Sequence, residues 1–184
     1  MLNQLVQLCQ QRKPEAEREL FSQFAPKVWT ICRRYAACDP DAQDYLQECF
    51  LCVFDNIRKY DPKKGAFEPW LYRLCTNTIL QILRKAKSQL NIVLLEELPE
   101  GEEVEDNLVE QIPTETVIAA IQQLPAGYRQ VLNLYVFEEW THREIALELN
   151  ISESSSRSQL ARARKLLKSV LKKLKPNSYE RRSA

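Results

Sequence analysis

The sequence predicts an all-α protein: two small helical domains joined by an acidic flexible linker, the second containing a helix-turn-helix. Three observations carry this expectation. Apolar residues recur at helical spacing along almost the whole chain, with no convincing alternating strand pairs. Only 3 glycines occur in 184 residues, too few for a turn-rich β fold. The formal charge of +1 conceals a strong asymmetry. Residues 1–87 hold 14 Lys/Arg against 10 Asp/Glu, residues 88–128 hold 9 acids and no base, and residues 129–184 hold 12 bases against 6 acids. Two basic ends around an acidic middle point to nucleic-acid contact at the ends.

Element by element, Leu2–Gln11 and Ala16–Cys38 read as helices, with a break near Pro14 and a bend at Pro26. Asp39-Pro40 is a start signal, an N-cap followed by proline in the first turn. The helix it opens runs to about Lys59, with Ala42, Tyr45, Leu46, Cys49, Phe50 and Val53 on its buried side. Asp61-Pro62-Lys63-Lys64-Gly65 is a turn. Phe67–Lys87 is a further helix with Leu71, Leu74, Cys75, Thr78, Ile79 and Ile82 inward and a cationic exit at Arg84, Lys85 and Lys87. Residues 88–113 form the linker, where like charges repel and extend the chain around a short apolar patch, Ile92–Leu95. A helix over 114–124 follows. Pro125-Ala126-Gly127 opens another, with Val131, Leu132, Leu134, Tyr135 and Phe137 as core. Residues 177–184 are a frayed tail.

The richest stretch is THREIALELNISESSSRSQLARAR, residues 141–164. Thr141 with Glu144 is a capping box. Ile145, Ala146 and Leu149 share one apolar face. Asn150 suits a left-handed helix end, Ile151 anchors the turn, and Ser152 caps the next helix with Glu153 at its positive end. Leu160, Ala163, Leu166, Leu167 and Val170 form that helix's buried stripe. Ser154, Ser155, Arg157, Ser158 and Arg162 remain as short hydroxyls and long cations able to reach base edges and phosphates. A solvated basic face is the bland alternative. The order of cap, turn, cap and cationic stripe favours DNA contact.

Other functions find little support. The six cysteines, Cys9, Cys32, Cys38, Cys49, Cys52 and Cys75, sit mostly at helical apolar positions. The Cys49-x-x-Cys52 pair lies inside an apolar run, so core packing is favoured over metal or redox chemistry. One histidine, His142, offers no nucleophile–base or metal constellation, so no enzyme, metal or cofactor is expected. No apolar run is long enough for membrane insertion and no signal peptide is evident, which implies reduced thiols in a cytoplasmic protein.

Two motif sets in this order, DAQDYLQECFLCVFDNIRKYD with GAFEPWLYRLCTNTILQILRK and then LPAGYRQVLNLYVFEEWTHREIALELNISESSSRSQLARARKLL, resemble the sigma-70 superfamily of bacterial sigma factors, extracytoplasmic-function (ECF) group. The resemblance implies a first domain over 1–87, a linker over 88–113, a second domain over 114–176 and a tail. It implies binding of core RNA polymerase, through the β′ clamp helices and β flap, and of promoter DNA. It also implies control by an anti-sigma factor.

For the β′ contact the matching residues are Asp41, Asp44, Gln47, Glu48 and Asn56. For recognition and melting of the minus-ten element they are Lys64, Gly65, Ala66, Phe67, Trp70, Arg73, Asn77, Arg84 and Lys85. There an aromatic would stack on an extruded base, an amide would read its edge and cations would hold backbone. For Trp70 core packing is the favoured alternative. For the minus-thirty-five element Ser154, Ser155, Arg157, Ser158 and Arg162 would face bases, and Arg143, Arg164, Lys165 and Lys168 would mostly hold phosphates. The linker would run near the polymerase active-site channel. This chain departs from the pattern at Asn150, often Gly, at Ser156, usually aliphatic, and at Gln81, commonly Asp. A stand-alone helix-turn-helix regulator is the alternative function.

Overall fold

The computed structural model describes residues 1–89 and 112–174. The linker's apolar patch and acidic run, and the tail, lie outside these residues. Every element among the described residues is helical, as expected. They divide into two compact units, one holding the first four α-helices and one the last four. No helix among them is long and apolar enough to cross a membrane.

In the first unit, α1 (Leu2–Gln10) precedes α2 (Pro14–Tyr35), α3 (Asp39–Asn56), a 3-10 turn (Ile57–Lys59) and α4 (Phe67–Gln89). Arg12 ends α1 in the left-handed region, φ 59, and its N–H donates to Cys9 O at 2.9 Å. Pro14 then starts α2, where its missing N–H costs nothing. Glu15 and Glu17 in the first turn and Arg33 and Arg34 in the last complement the helix dipole. Pro26 sits inside α2, exposed, and the helix continues through it to Tyr35. The start of α3 is one residue earlier than the sequence suggests. Cys38 occupies the N-cap, and Asp39 instead pairs with Arg33 at 3.0 Å. The helix also stops at Asn56 and tightens into the 3-10 turn.

Leu20, Phe24, Val28 and Cys32 of α2 pack with Ala42, Cys49 and Val53 of α3 and with Phe67, Leu71, Cys75 and Ile79 of α4, all buried. Each large apolar side chain so buried contributes about 1.5–3 kcal/mol. Tyr45 and Leu46, expected inside, are half-exposed. On α4 the buried stripe is rotated from expectation. Thr76 and Leu80 are inside, while Leu74, Thr78 and Ile82 are half-exposed, because α4 has both α2 and α3 as neighbours.

In the second unit, α5 (Thr114–Gln122), α6 (Ala126–Val136) and α7 (His142–Leu149) all pack on α8 (Glu153–Leu174). Ile118, Ile121, Val131, Leu134, Ile145, Leu160 and Ala163 form its core. Arg129 is buried there and donates from Nη1 to Gln122 O at 2.7 Å, a cation on the last carbonyls of α5. Tyr135 and Phe137, expected in the core, are exposed. They follow the last buried turn of α6, where the chain leaves α8, and the buried positions are taken by Tyr128 and Asn133 instead.

Candidate nucleic-acid interface

The helix-turn-helix is assembled from local rules. The Thr141 hydroxyl accepts from Glu144 N at 3.3 Å, and Glu144 Oε2 accepts from Thr141 N at 2.8 Å, a complete capping box. Asn150 ends α7 in the left-handed conformation, φ 53. Ile151 N donates back to Ala146 O at 3.0 Å, and its side chain is half-buried. Ser152 Oγ accepts from Ser155 N at 3.0 Å and so caps α8.

Between α7 and α8 lies a contact the sequence did not announce. Ser156 is fully buried, and its hydroxyl lies 2.9 Å from His142 Nδ1. The imidazole stacks on Tyr135 with centroids 4.7 Å apart, and Arg164 lies over the other partner of that stack, 5.6 Å from the Tyr135 centroid. Desolvation first, then the cations of Arg157 and Arg164, lowers the His142 pKa, with Glu153 opposing. The departure at Ser156 is therefore a replacement of one aliphatic contact by a polar one.

With Ser156, Leu160 and Ala163 inward, the opposite stripe of α8 follows from its period. Ser154, Ser158, Arg162 and Lys165 are exposed on it. Ala161 is exposed on the same stripe and was missed, because a lone alanine carries no chemical signal; its methyl suits a thymine methyl. Other expected readers are partly occupied. Ser155 is half-buried, and its hydroxyl accepts from Ser152 Oγ at 2.8 Å. Arg157 is exposed and pairs with Glu153 at 3.2 Å. Ser158 Oγ donates to Ser155 O at 3.0 Å, a bond that uses its hydrogen and leaves its oxygen able to accept. Arg143 is exposed on α7, and Lys168 is half-exposed on α8.

The first unit carries a second stripe. Trp70, Arg73, Asn77, Gln81 and Arg84 recur at helical spacing on the side of α4 away from Leu71, Cys75 and Ile79. Arg73, Gln81, Arg84 and Lys85 are exposed, and Trp70 and Asn77 half-exposed. Lys64, Gly65 and Ala66 are exposed in the preceding turn, where Lys64 N donates to Asp61 O at 3.0 Å and Gly65 has φ 153, open only to glycine without strain.

Phe67 corrects the sequence reading: it is buried and packs edge-on against Tyr60 at 5.2 Å and Phe24 at 5.5 Å, so its ring is not free to stack on a base. A helix start beside two aromatics from other segments has no exposed side for it. Trp70 stands at the margin of this cluster, 5.4 Å from Tyr60 and 5.5 Å from Phe67, which supports the packing alternative for part of its surface.

The polar face of α3 is also assembled. Asp44, Gln47 and Glu48 are exposed and Asp41 is half-exposed. Gln47 borders an apolar cleft of about 310 Å³ walled by Phe21, Leu46, Phe50, Leu51 and Phe54, of which Phe21 and Leu51 are exposed. Asn56 is separate: its Nδ2 donates to Cys52 O at 2.8 Å and its Oδ1 accepts from Lys59 Nζ at 2.7 Å, so it closes the end of α3.

Cys9, Cys32, Cys49 and Cys75 are buried, while Cys38 is exposed and Cys52 is half-exposed. The Cys49 thiol is pushed far up by hydrogen bonds with Cys32 and Cys75 and by burial, and Cys9 is raised to about 11 by burial and nearby Glu17 and Glu19. These are packed thiols. Among the described residues no group of His, Cys, Asp or Glu is arranged to hold a metal ion.

Comparison with known proteins agrees with this arrangement. Residues 20–89 match Sigma-70 region 2, and residues 114–167 match Sigma-70, region 4. The chain is 32% identical over 163 residues to the ECF RNA polymerase sigma factor SigE of Mycolicibacterium smegmatis, covering 84% of this chain and 61% of that protein. It is 32% identical over 132 residues to the ECF RNA polymerase sigma factor SigM of Bacillus subtilis, covering 70% of this chain and 78% of that protein. Its fold resembles the sigma factor RpoE of Bartonella quintana, solved with the anti-sigma factor NepR, at a TM-score of 0.50 and 15% identity over 84% of this chain and 96% of that one. The chain belongs to the extracytoplasmic-function group of the sigma-70 family of RNA polymerase sigma factors.

Proposed function

We propose that this chain binds core RNA polymerase in the cytoplasm and directs promoter-specific transcription initiation, without catalysing a reaction itself. The carrying observation is that two separate helical units each bear an exposed cation-rich stripe, on α4 and on α8, next to short polar side chains. One such stripe suits a DNA-binding module. Two on independent units suit a protein that grips a promoter at two elements.

Residues 1–87 act as the domain for core binding and minus-ten recognition, 88–113 as linker, and 114–176 as the minus-thirty-five domain. Asp44, Gln47 and Glu48 form the rim of the polymerase contact, and the cleft beside Gln47 its apolar centre, the usual make-up of a protein interface. Trp70, Arg73, Asn77, Arg84, Lys85 and Lys64 engage the opened minus-ten strand. Ser154, Ser158, Ala161 and Arg162 read the major groove of the upstream element, while Arg143, Lys165 and Lys168 hold phosphates. An anti-sigma factor regulates it, as in the complex of its structural neighbour.

Run-off transcription with purified core polymerase tests the whole reading. A promoter-specific transcript that requires this chain is expected. Tight promoter binding by the free chain, with no transcript and no core binding, would instead make it a stand-alone regulator.

A further inference from the structure

Helix α1 lies before the matched segment, residues 20–89, and none of its residues is named in the contacts proposed above. Its last residue, Gln10, nevertheless reaches into the connection between α3 and α4. Its Nε2 donates to two carbonyls at once, Ile57 O at 3.1 Å and Tyr60 O at 3.0 Å. Arg58 Nε donates back to Gln10 O at 3.3 Å. The contact is part-buried, and α1 is seated beneath it by buried Leu5, Val6 and Cys9.

The chemistry explains why an amide stands here. The Ile57 carbonyl already accepts from Tyr60 N at 3.2 Å within the 3-10 turn and has a second lone pair to offer, and the Tyr60 carbonyl follows the turn, where the helix ladder has ended. One neutral amide group offers two N–H donors and brings no charge. Tyr60, held this way at its carbonyl, passes the restraint on. Its hydroxyl donates to Gly65 O at 2.9 Å, and its ring packs on Phe67 and Trp70. Asp61 closes the turn by accepting from Lys63 N at its Oδ1 and from Lys64 N at its carbonyl, both at 3.0 Å. A continuous path of contacts thus runs from Gln10 to the exposed turn that carries Lys64, Gly65 and Ala66.

We propose that Gln10 is a positioning residue for capture of the opened minus-ten strand, fixing Tyr60 and through it the Lys64–Ala66 turn and Trp70. This rests on the minus-ten role proposed above for the turn and α4.

The test uses holoenzyme made from core polymerase and the full chain. The probe is a labelled single-stranded oligonucleotide of the non-template minus-ten sequence. Gln10→Glu keeps the shape but, ionised, replaces both donors by acceptors facing two carbonyls. Gln10→Ala removes the group. Both are expected to weaken oligonucleotide binding roughly tenfold, with unchanged affinity for core polymerase. Binding like the unsubstituted chain in both variants overturns the proposal. So does a loss of core affinity in parallel, which would make Gln10 a fold residue only. Lys64→Ala is the control: if it too binds normally, the minus-ten reading of the turn has failed and the role of Gln10 falls with it.

Discussion

The imidazole Nδ1 of His142 lies 2.9 Å from the hydroxyl of Ser156, and this contact joins the first residue of α7 to the buried side of α8. It adds a polar contact to a seam already packed by Ile145, Leu160 and Ala163. The serine that looks least suited to a core position is the one turned inward, and its neighbours are turned outward by the period of the helix. Removing the hydroxyl with Ser156→Ala should cost about 1 kcal/mol. A double-mutant cycle with His142→Ala, read by thermal unfolding, should give a coupling of roughly 0.5–1.5 kcal/mol. Strict additivity would mean that the two side chains stand together without stabilising the turn.

The same histidine makes stability depend on pH. Its pKa is lowered from the ordinary 6.5 by desolvation and by Arg157 and Arg164. The unfolded chain therefore takes up this proton first as pH falls. The contribution of His142 is complete above the ordinary value and is lost as pH drops through it towards the lower folded value. The difference in melting temperature between the unsubstituted chain and His142→Gln should widen from pH 5 to 7 and stay flat from 7 to 8. A difference that narrows over the first interval would reverse the sign assigned to this group.

On α8, base readers and phosphate holders should separate experimentally. Lys165→Ala should weaken holoenzyme binding across promoter variants and reduce the salt dependence by about one counterion. Arg162→Ala and Ser158→Ala should instead change preference at individual upstream positions, by about 1–3 kcal/mol for a well-made base contact. Ser156→Ala should leave base preference intact. Binding curves on single-base promoter variants at two salt concentrations distinguish these cases.

The apolar cleft on α3 should be visible in assembly. Leu51 is exposed beside buried Phe50, so Leu51→Asp costs the free fold little. It should reduce core polymerase affinity at least tenfold, measured by competition with a labelled chain, while the melting temperature stays within about 2 °C, the usual range for surface changes. Full affinity with Leu51→Asp would remove the cleft from the interface.

What was legible in the sequence is what short-range physics decides. Thr141 and Glu144 cap α7, Asn150 takes φ 53 and Ser152 caps α8, because each depends on a backbone group within three or four residues. The apolar period told helix from strand and gave most of the buried stripes. Where it erred, two faces of one helix were nearly equal in hydrophobicity. Thr76 and Leu80 turned inward in place of Thr78 and Ile82, and Tyr135 and Phe137 turned outward, because the neighbouring helices choose the buried face.

The sequence by itself determined the helices, the ends of α7 and the start of α8, the order of the two units and the chemistry available to each. Only the tertiary structure decided that Phe67 is a core ring, that Ser156 faces His142, that Ala161 joins the outward stripe of α8, and that Gln10 holds Tyr60 from 50 residues away. Local rules settle a backbone turn, but the direction of a side chain is settled by whichever partner removes it from water, and that partner is brought near only by the fold.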